Sequence, residues 1–357
     1  MIELDSASSN YASGKSLKKS GIRIKLLGIG GAGCGIISRL NSSLSPSIEF
    51  IAINTDRSSL EKCKVKKRLQ LGESITKGWG TGGDPKIGRQ VALQEKDRLK
   101  EILKGTDLSF ILVGLGKGTG TGISPIVAQL AKEMDILTWG IVILPFFFEG
   151  KRRINQAREG FKNLEKVIDA LMVIPNDSLL ENGGENLSLK EGFGKIDKFL
   201  EEIIFRIENF FLCQGFIEVD FADVKSLLKK GNRVQVFTGK GKGEEASREA
   251  VKEALSFSLY KENFLKKAEG VIINIQGGKD LSLLEVKNIV HLVKSNLSSK
   301  VDIIFGAGVD ENLTEKIILT LIIARKEDLK SEQEGLDLKI FRSDDLEIPT
   351  FLRKGGN

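Results

Sequence analysis

Gly114-Leu115-Gly116-Lys117-Gly118-Thr119-Gly120-Thr121-Gly122 sets glycine at every other position and adds two hydroxyls, directly before a helix expected to start near Ser124. The β-branched run Leu108 to Val113 precedes it and reads as a strand. A loose linker has no need of glycine in that rhythm against a helix start. A loop whose backbone amides must close on an anion does, because the missing Cβ atoms let the chain approach a phosphate at the positive end of a helix.

Working outward, two more glycine clusters share the expected sheet edge. Gly28-Ile29-Gly30-Gly31-Ala32-Gly33 follows a strand read over Ile22 to Leu27 and opens a helix. With Asp56 ending the next strand, it satisfies a dinucleotide fingerprint when taken alone. Gly78-Trp79-Gly80-Thr81-Gly82-Gly83-Asp84-Pro85 adds a third wall. Three cradling loops suit a nucleoside triphosphate better than one pyrophosphate crossing. The G-x-x-x-x-G-K-[ST] pattern is missing, so the chain is not a P-loop protein.

The rest of the chain supplies the frame. Runs Ile48 to Ile53, Thr138 to Leu144 and Leu171 to Ile174 read as further strands with helix-length stretches between, which predicts an α/β fold with a doubly wound parallel sheet. From Gly192, apolar Phe193, Ile196, Leu200, Ile203, Ile207 and Phe211 recur every three or four residues, predicting one long central helix that stops near Gln214-Gly215. A second, smaller α/β unit is read from strands Val234 to Thr238, Gly270 to Ile275, Asp302 to Phe305 and Ile317 to Ile323, with helices near 245–257 and 281–296. The expected organisation is a flexible arm 1–20, a nucleotide-binding domain 21–191, the central helix 192–214, a second domain 215–325 and a flexible tail 326–357.

Composition narrows the chemistry. The chain has 357 residues, enough for two domains, and 41% hydrophobic with 29% charged residues describes a globular protein. One histidine, His291, and three cysteines leave little room for a Ser-His-Asp triad, a zinc knuckle or a disulfide framework. A net charge of +6 is mild and interspersed, so no nucleic-acid groove is read. The longest apolar run, Leu137 to Phe148, contains Gly140 and Pro145 and is too short to span a bilayer, so no direct membrane insertion is expected. The setting expected from these features is the cytoplasm.

The loop Gly114 to Gly122 is similar to the tubulin signature loop in its bacterial form, and the chain from about Ile22 to Arg325 resembles the FtsZ family of tubulin-like cell-division GTPases. The resemblance also rests on Asn54-Thr55-Asp56, Gly78 to Gly88, Pro145 to Arg153, Ile174-Pro175-Asn176-Asp177 and Val219-Asp220-Phe221-Ala222-Asp223-Val224. It implies GTP or GDP as ligand with Mg²⁺, and a head-to-tail homopolymer in which one subunit binds nucleotide and the next completes the site. It further implies that Gly30, Gly31, Gly116, Lys117, Gly118, Thr119, Gly120 and Thr121 surround the phosphates, with Asn54 and Gly82 near. Glu149 and Arg153 would meet the ribose and base edge, and Phe193 the purine face. Asp220 and Asp223 would act on the neighbour's γ-phosphate and its attacking water; their i, i+3 spacing at a helix start lets both face one way. No protein-borne metal site is implied.

Four positions depart from the family. Lys117 replaces a loop glycine and Glu218 the asparagine of N-x-D-x-x-D, and the two would approach each other across the subunit contact. Gly35 and Lys198 stand where an asparagine and an aspartate contact guanine, with Asp197 one residue away as a substitute. The island Leu346 to Arg353 is similar to the family's tail peptide and implies a membrane-tethering adaptor protein and a ring at midcell. The tether of about eighteen residues before it spans roughly 20–25 Å as a flexible chain. Two alternatives stand beside this reading: a nucleotide-binding structural or regulatory paralogue with little hydrolysis, and an NAD-dependent oxidoreductase built on Gly28 to Gly33.

Overall fold

The computed structural model describes residues 21–40, 47–178, 188–212, 216–256, 263–298, 300–310, 313 and 316–326. The expected arm 1–20, the stop at Gln214-Gly215 and the tail peptide 346–353 lie outside them.

The first half alternates strand and helix: β1 (Ile24–Ile29), α1 (Gly30–Leu40), β2 (Ile48–Asn54), α2 (Arg57–Glu61), β3 (Lys67–Gln70), α3 (Glu73–Thr76), α4 (Pro85–Gln94), α5 (Lys96–Leu103), β4 (Leu108–Gly114), α6 (Gly118–Glu133), β5 (Leu137–Leu144), α7 (Lys151–Glu165) and β6 (Ala170–Pro175). The long helix α8 (Leu189–Leu212) leads to α9 (Phe221–Lys230), β7 (Arg233–Lys242), α10 (Ala246–Ser256), α11 (Asn263–Lys266), β8 (Ala268–Gly277), α12 (Leu283–Ser295), β9 (Asp302–Val309) and β10 (Lys316–Arg325).

The strands form one sheet in the order β3-β2-β1-β4-β5-β6-β7-β10-β8-β9. β1 to β6 run parallel, as a βαβ alternation requires, and β10 is antiparallel to both β7 and β8. Two helical layers cover the parallel half. Ile36, Ile37 and Leu40 of α1 and Leu200, Ile203 and Ile207 of α8 bury one face, while Val91, Leu99, Val127 and Phe161 of α4 to α7 bury the other. The layer under α8 also contains Val234, Ile272 and Ile322, so a single core runs from the first unit into the second. A third cluster packs α10 and α12 on β8 and β10. Among the described residues, no helix is long and apolar enough to cross a membrane.

Several sequence expectations shift. The helix expected near Ser124 begins at Gly118, so Gly118 and Gly120 lie in its first turn while Gly114 and Gly116 precede it. α8 begins at Leu189, ahead of the Gly192 start. The short edge strand β3 carries no apolar run and was not legible. The two expected sheets are joined by one parallel register pair, Leu171 with Arg233. At that joint the Arg233 guanidinium bonds Glu165 Oε1 at 2.6 Å and lies over the Phe161 ring.

Candidate nucleotide site

β1 is flanked by β2 on one side and β4 on the other, so the chain winds in opposite directions from it. The crevice at the carboxyl ends of β1 and β4 is where such sheets take ligands. Both predicted glycine loops open there. Gly30 begins α1 with φ +74°, and a Cβ on it would lie 2.9 Å from the Gly120 amide nitrogen, so the two helix starts touch backbone to backbone. Gly116, at φ +98°, lies against the Arg153 carbonyl and brings the start of α7 to the loop. The third cluster closes the other side. A Cβ on Gly118 would collide with Thr81 Oγ1 and the Asp84 backbone, and one on Gly88 would sit 2.6 Å from the Gly118 carbonyl oxygen.

The loop is braced by its hydroxyls. Thr119 Oγ1 shares a 2.7 Å hydrogen bond with Thr55 Oγ1, and Thr121 Oγ1 accepts from the Gly116 amide at 3.0 Å. Gln156, from α7, donates to the Gly83 carbonyl at 3.1 Å and ties the third cluster in. At the head of α6 the N-cap residue, Lys117, provides no side-chain cap, which leaves the first-turn amides for an anion. Buried Asn54 accepts from the amides of Thr55 and Asp56 through Oδ1, while its Nδ2 has no hydrogen-bond partner among the described residues. An orphaned donor beside an uncapped helix and glycine contacts too tight for a Cβ fits a polyphosphate.

A second wall leads away from the cradle. Glu149 Oε1 accepts from the Phe146 amide at 2.9 Å, and the same carboxylate pairs with Arg153. Phe147, in the short 3₁₀ turn Phe147–Glu149, donates its amide to Asp177 at 3.1 and 3.2 Å. Phe146 stacks on Phe148 at 4.8 Å and meets Phe193 edge-on at 6.2 Å. Phe193 keeps 42% of its surface exposed, so its ring is open to another planar group. Asp197 lies four residues on, hence on the same side of α8. Arg39 of α1 clamps it through two bonds of 2.5 and 2.9 Å.

The carboxylate on the Phe193 side of α8 is Asp197, while Lys198, one residue further round the helix, is exposed. Gly35 remains a bare position, with Arg39 Nη1 3.5 Å from where its Cβ would lie. Thr55 and Thr81 lie inside motifs quoted from the sequence but were given no role of their own, and Arg39 and Gln156 fall outside every motif.

Asp220 and Asp223 lie elsewhere. Asp220 caps α9, its carboxylate accepting from the Ala222 amide at 3.0 Å, and both acids are exposed. Two residues beyond Asp223, Lys225 Nζ bonds the Asp135 carbonyl at 2.9 Å and its carboxylate at 2.7 Å. Asp135 follows the C-terminus of α6, whereas the phosphate cradle opens at its N-terminus. The 16 residues of α6 span about 24 Å, so the acidic pair stands a helix length from its own chain's glycine loops.

Crossed glycine loops at the switch point of a parallel sheet, a long helix behind them and a second unit carrying exposed acids define a tubulin-like nucleotide-binding GTPase. The Tubulin/FtsZ family GTPase-domain pattern matches residues 23–184, and that of the FtsZ family C-terminal domain matches 233–326. The cell division protein FtsZ of Coxiella burnetii is 38% identical over 301 residues, covering 84% of this chain and 78% of that protein. FtsZ of Buchnera aphidicola is 37% identical over 299 residues, again 84% of this chain and 78% of that one. An empty dimer of M. jannaschii FtsZ superposes with a TM-score of 0.76 at 36% identity, covering 88% of this chain and 91% of that chain. A GTPγS-bound protofilament of CetZ2 from Haloferax volcanii, at 20% identity and TM-score 0.74 over 92% of this chain and all of that one, shares the fold. The chain belongs to the FtsZ family of cell-division GTPases. Neither alternative reading is favoured, and the acid an NAD-binding fold would offer to ribose, Asp56, instead caps α2 by accepting from the Ser59 amide.

Proposed function

We propose that this chain polymerises head to tail and hydrolyses GTP only at the contact between two subunits, in the service of cell division. The observation that carries the reading is the separation just described: the acids that match the family's catalytic pair stand about 24 Å of helix away from the cradle of their own chain. An exposed acidic face and an exposed nucleotide face at opposite ends are unlike surfaces, and such a contact propagates rather than closes.

In this reading the first-turn amides of α6, Gly30, Gly31, Gly82 and Asn54 Nδ2 bind the phosphates. Glu149 and Arg153 meet the sugar, and Phe193 and Asp197 meet the base. Asp220 and Asp223 of the next subunit orient the attacking water and accept its proton, and a Mg²⁺ bound with the nucleotide would supply charge neutralisation. The dimeric and protofilament forms among the structural relatives support self-association. The same reading includes an adaptor engaging residues 346–353 and a cytoplasmic ring at midcell.

The test is phosphate release with GTP and Mg²⁺ as protein concentration rises. Turnover per subunit is expected to be near zero below a threshold and to appear together with sedimentable polymer. Turnover independent of concentration would remove the intersubunit site.

A further inference from the structure

Lys117 is the exposed residue of the signature loop. From Leu115 to Gly122 its neighbours are buried, and the side chain stands at the α6 N-cap without a hydrogen bond or ion pair to any described residue. The glycines on either side of it are closely packed, Gly116 against the Arg153 carbonyl and Gly118 against Thr81 and Asp84, which leaves Lys117 as the solvent-facing position between them. A cation therefore projects from the nucleotide face.

On the opposite face the chain runs from the Ile217–Ala307 bridge to the extended cap residue Asp220 of α9, with burial alternating along it. Ile217 and Val219 pack inward, while Glu218 and Asp220 are exposed. In an extended segment alternate residues share a face about 6.6 Å apart. Whatever brings Asp220 to a phosphate therefore brings Glu218 within one strand step of it. A carboxylate arriving there meets an anionic ligand, an arrangement that needs a neighbouring cation. Lys117 is one residue from the glycines of that cradle.

We propose that Lys117 and Glu218 form an ion pair across the head-to-tail contact between two copies of this chain. The inference rests on the polymer reading above and adds a specificity element to it: each subunit carries one half of a charge lock on each end.

The experiment measures GTP-dependent sedimentation of the full chain as wild type, Lys117→Glu, Glu218→Lys, the double reversal, and an equimolar mixture of the two single variants. Each single variant places like charges in contact and is expected to raise the critical concentration about tenfold. The double reversal restores opposite charges in every contact, and the mixture restores them in alternating ones, so both are expected within about threefold of wild type. Singles that assemble like wild type, or failure of either combination to recover, overturn the pair. GDP affinity of the unassembled chains separates the other role for the lysine: a loss in Lys117→Glu that persists in the double reversal assigns Lys117 to its own chain's phosphates and overturns the pair. The neutral variants Lys117→Gln and Glu218→Gln guard against a fold defect, and additive effects in their cycle are equally fatal. A wild type that never sediments with GTP overturns the polymer reading together with the pair, whereas an assembling wild type with unaffected variants overturns the pair alone.

Discussion

Gly30 carries two constraints at once, a left-handed backbone at φ +74° and a space bounded 2.9 Å away by the Gly120 nitrogen. Backbone strain of this kind costs about 1–3 kcal/mol, and relief by moving α6 would open the cradle. Gly30→Ala is expected to weaken GDP binding about 10- to 100-fold in a fluorescent-nucleotide titration. Gly35→Ala on the same helix meets only ordinary contact with Arg39 and should be tolerated, raising stability by up to about 1 kcal/mol through helix propensity. Cys34 shows how burial sets chemistry. Desolvation, with a smaller push from Cys63, raises its thiol to about 12, and its Sγ donates to the Gly28 carbonyl at 3.3 Å. A raised thiol stays protonated through neutral and mildly alkaline pH, so Cys34 should resist iodoacetamide in the native chain at pH 8 and label fully in urea, as read by peptide mass spectrometry.

At the scale of elements, the closeness of α4 to α6 is what turns three glycine clusters into one site. Pro85 starts α4 and Asp84 caps it by accepting from the Lys86 amide, which fixes the entry of the third cluster. Gly88 and Gly122 then let the two helices touch backbone to backbone. Gly88→Ala forces a methyl to within 2.6 Å of the Gly118 carbonyl. Overpacking of that kind costs about 1–3 kcal/mol, seen as a lower urea midpoint, and nucleotide affinity should fall with it because Gly118 is displaced.

Over the whole molecule, α6 works as a spacer. Its first turn opens on the glycine crevice and its end is fastened to α9 through Lys225 and Asp135, which holds the crevice and the acidic face apart. If catalysis joins the halves of two chains, inactive partners should complement. A variant lacking Asp220 and Asp223, mixed with one carrying Gly120→Val, is expected to regain up to about a quarter of wild-type phosphate release, since random head-to-tail assembly pairs an intact cradle with intact acids in that share of contacts. Each variant alone should stay inactive. Absence of any recovery in co-sedimenting mixtures would count against a shared site.

The sequence alone determined the α/β alternation, the central helix and the positions of the glycine loops, because hydrophobic periodicity and glycine spacing are local signals. It also singled out Asn54, Glu149, Arg153 and Phe193: Asn54 ends β2 next to Thr55, which bonds Thr119, while the Glu149–Arg153 pair and the Phe146–Phe193 contact line the wall that leads away. It misread what depends on helix phase: a helix start inside a glycine run is hidden because glycine disfavours helices, and only the tertiary contacts of Gly118 and Gly120 hold that turn in place. Asp197 was named from sequence as the substitute carboxylate, but its clamp by Arg39 joins residues 158 apart and no local pattern announces it. The distance between the acids and their own glycine loops was likewise decided by packing, since no local pattern encodes which end of a sheet a later helix will cover.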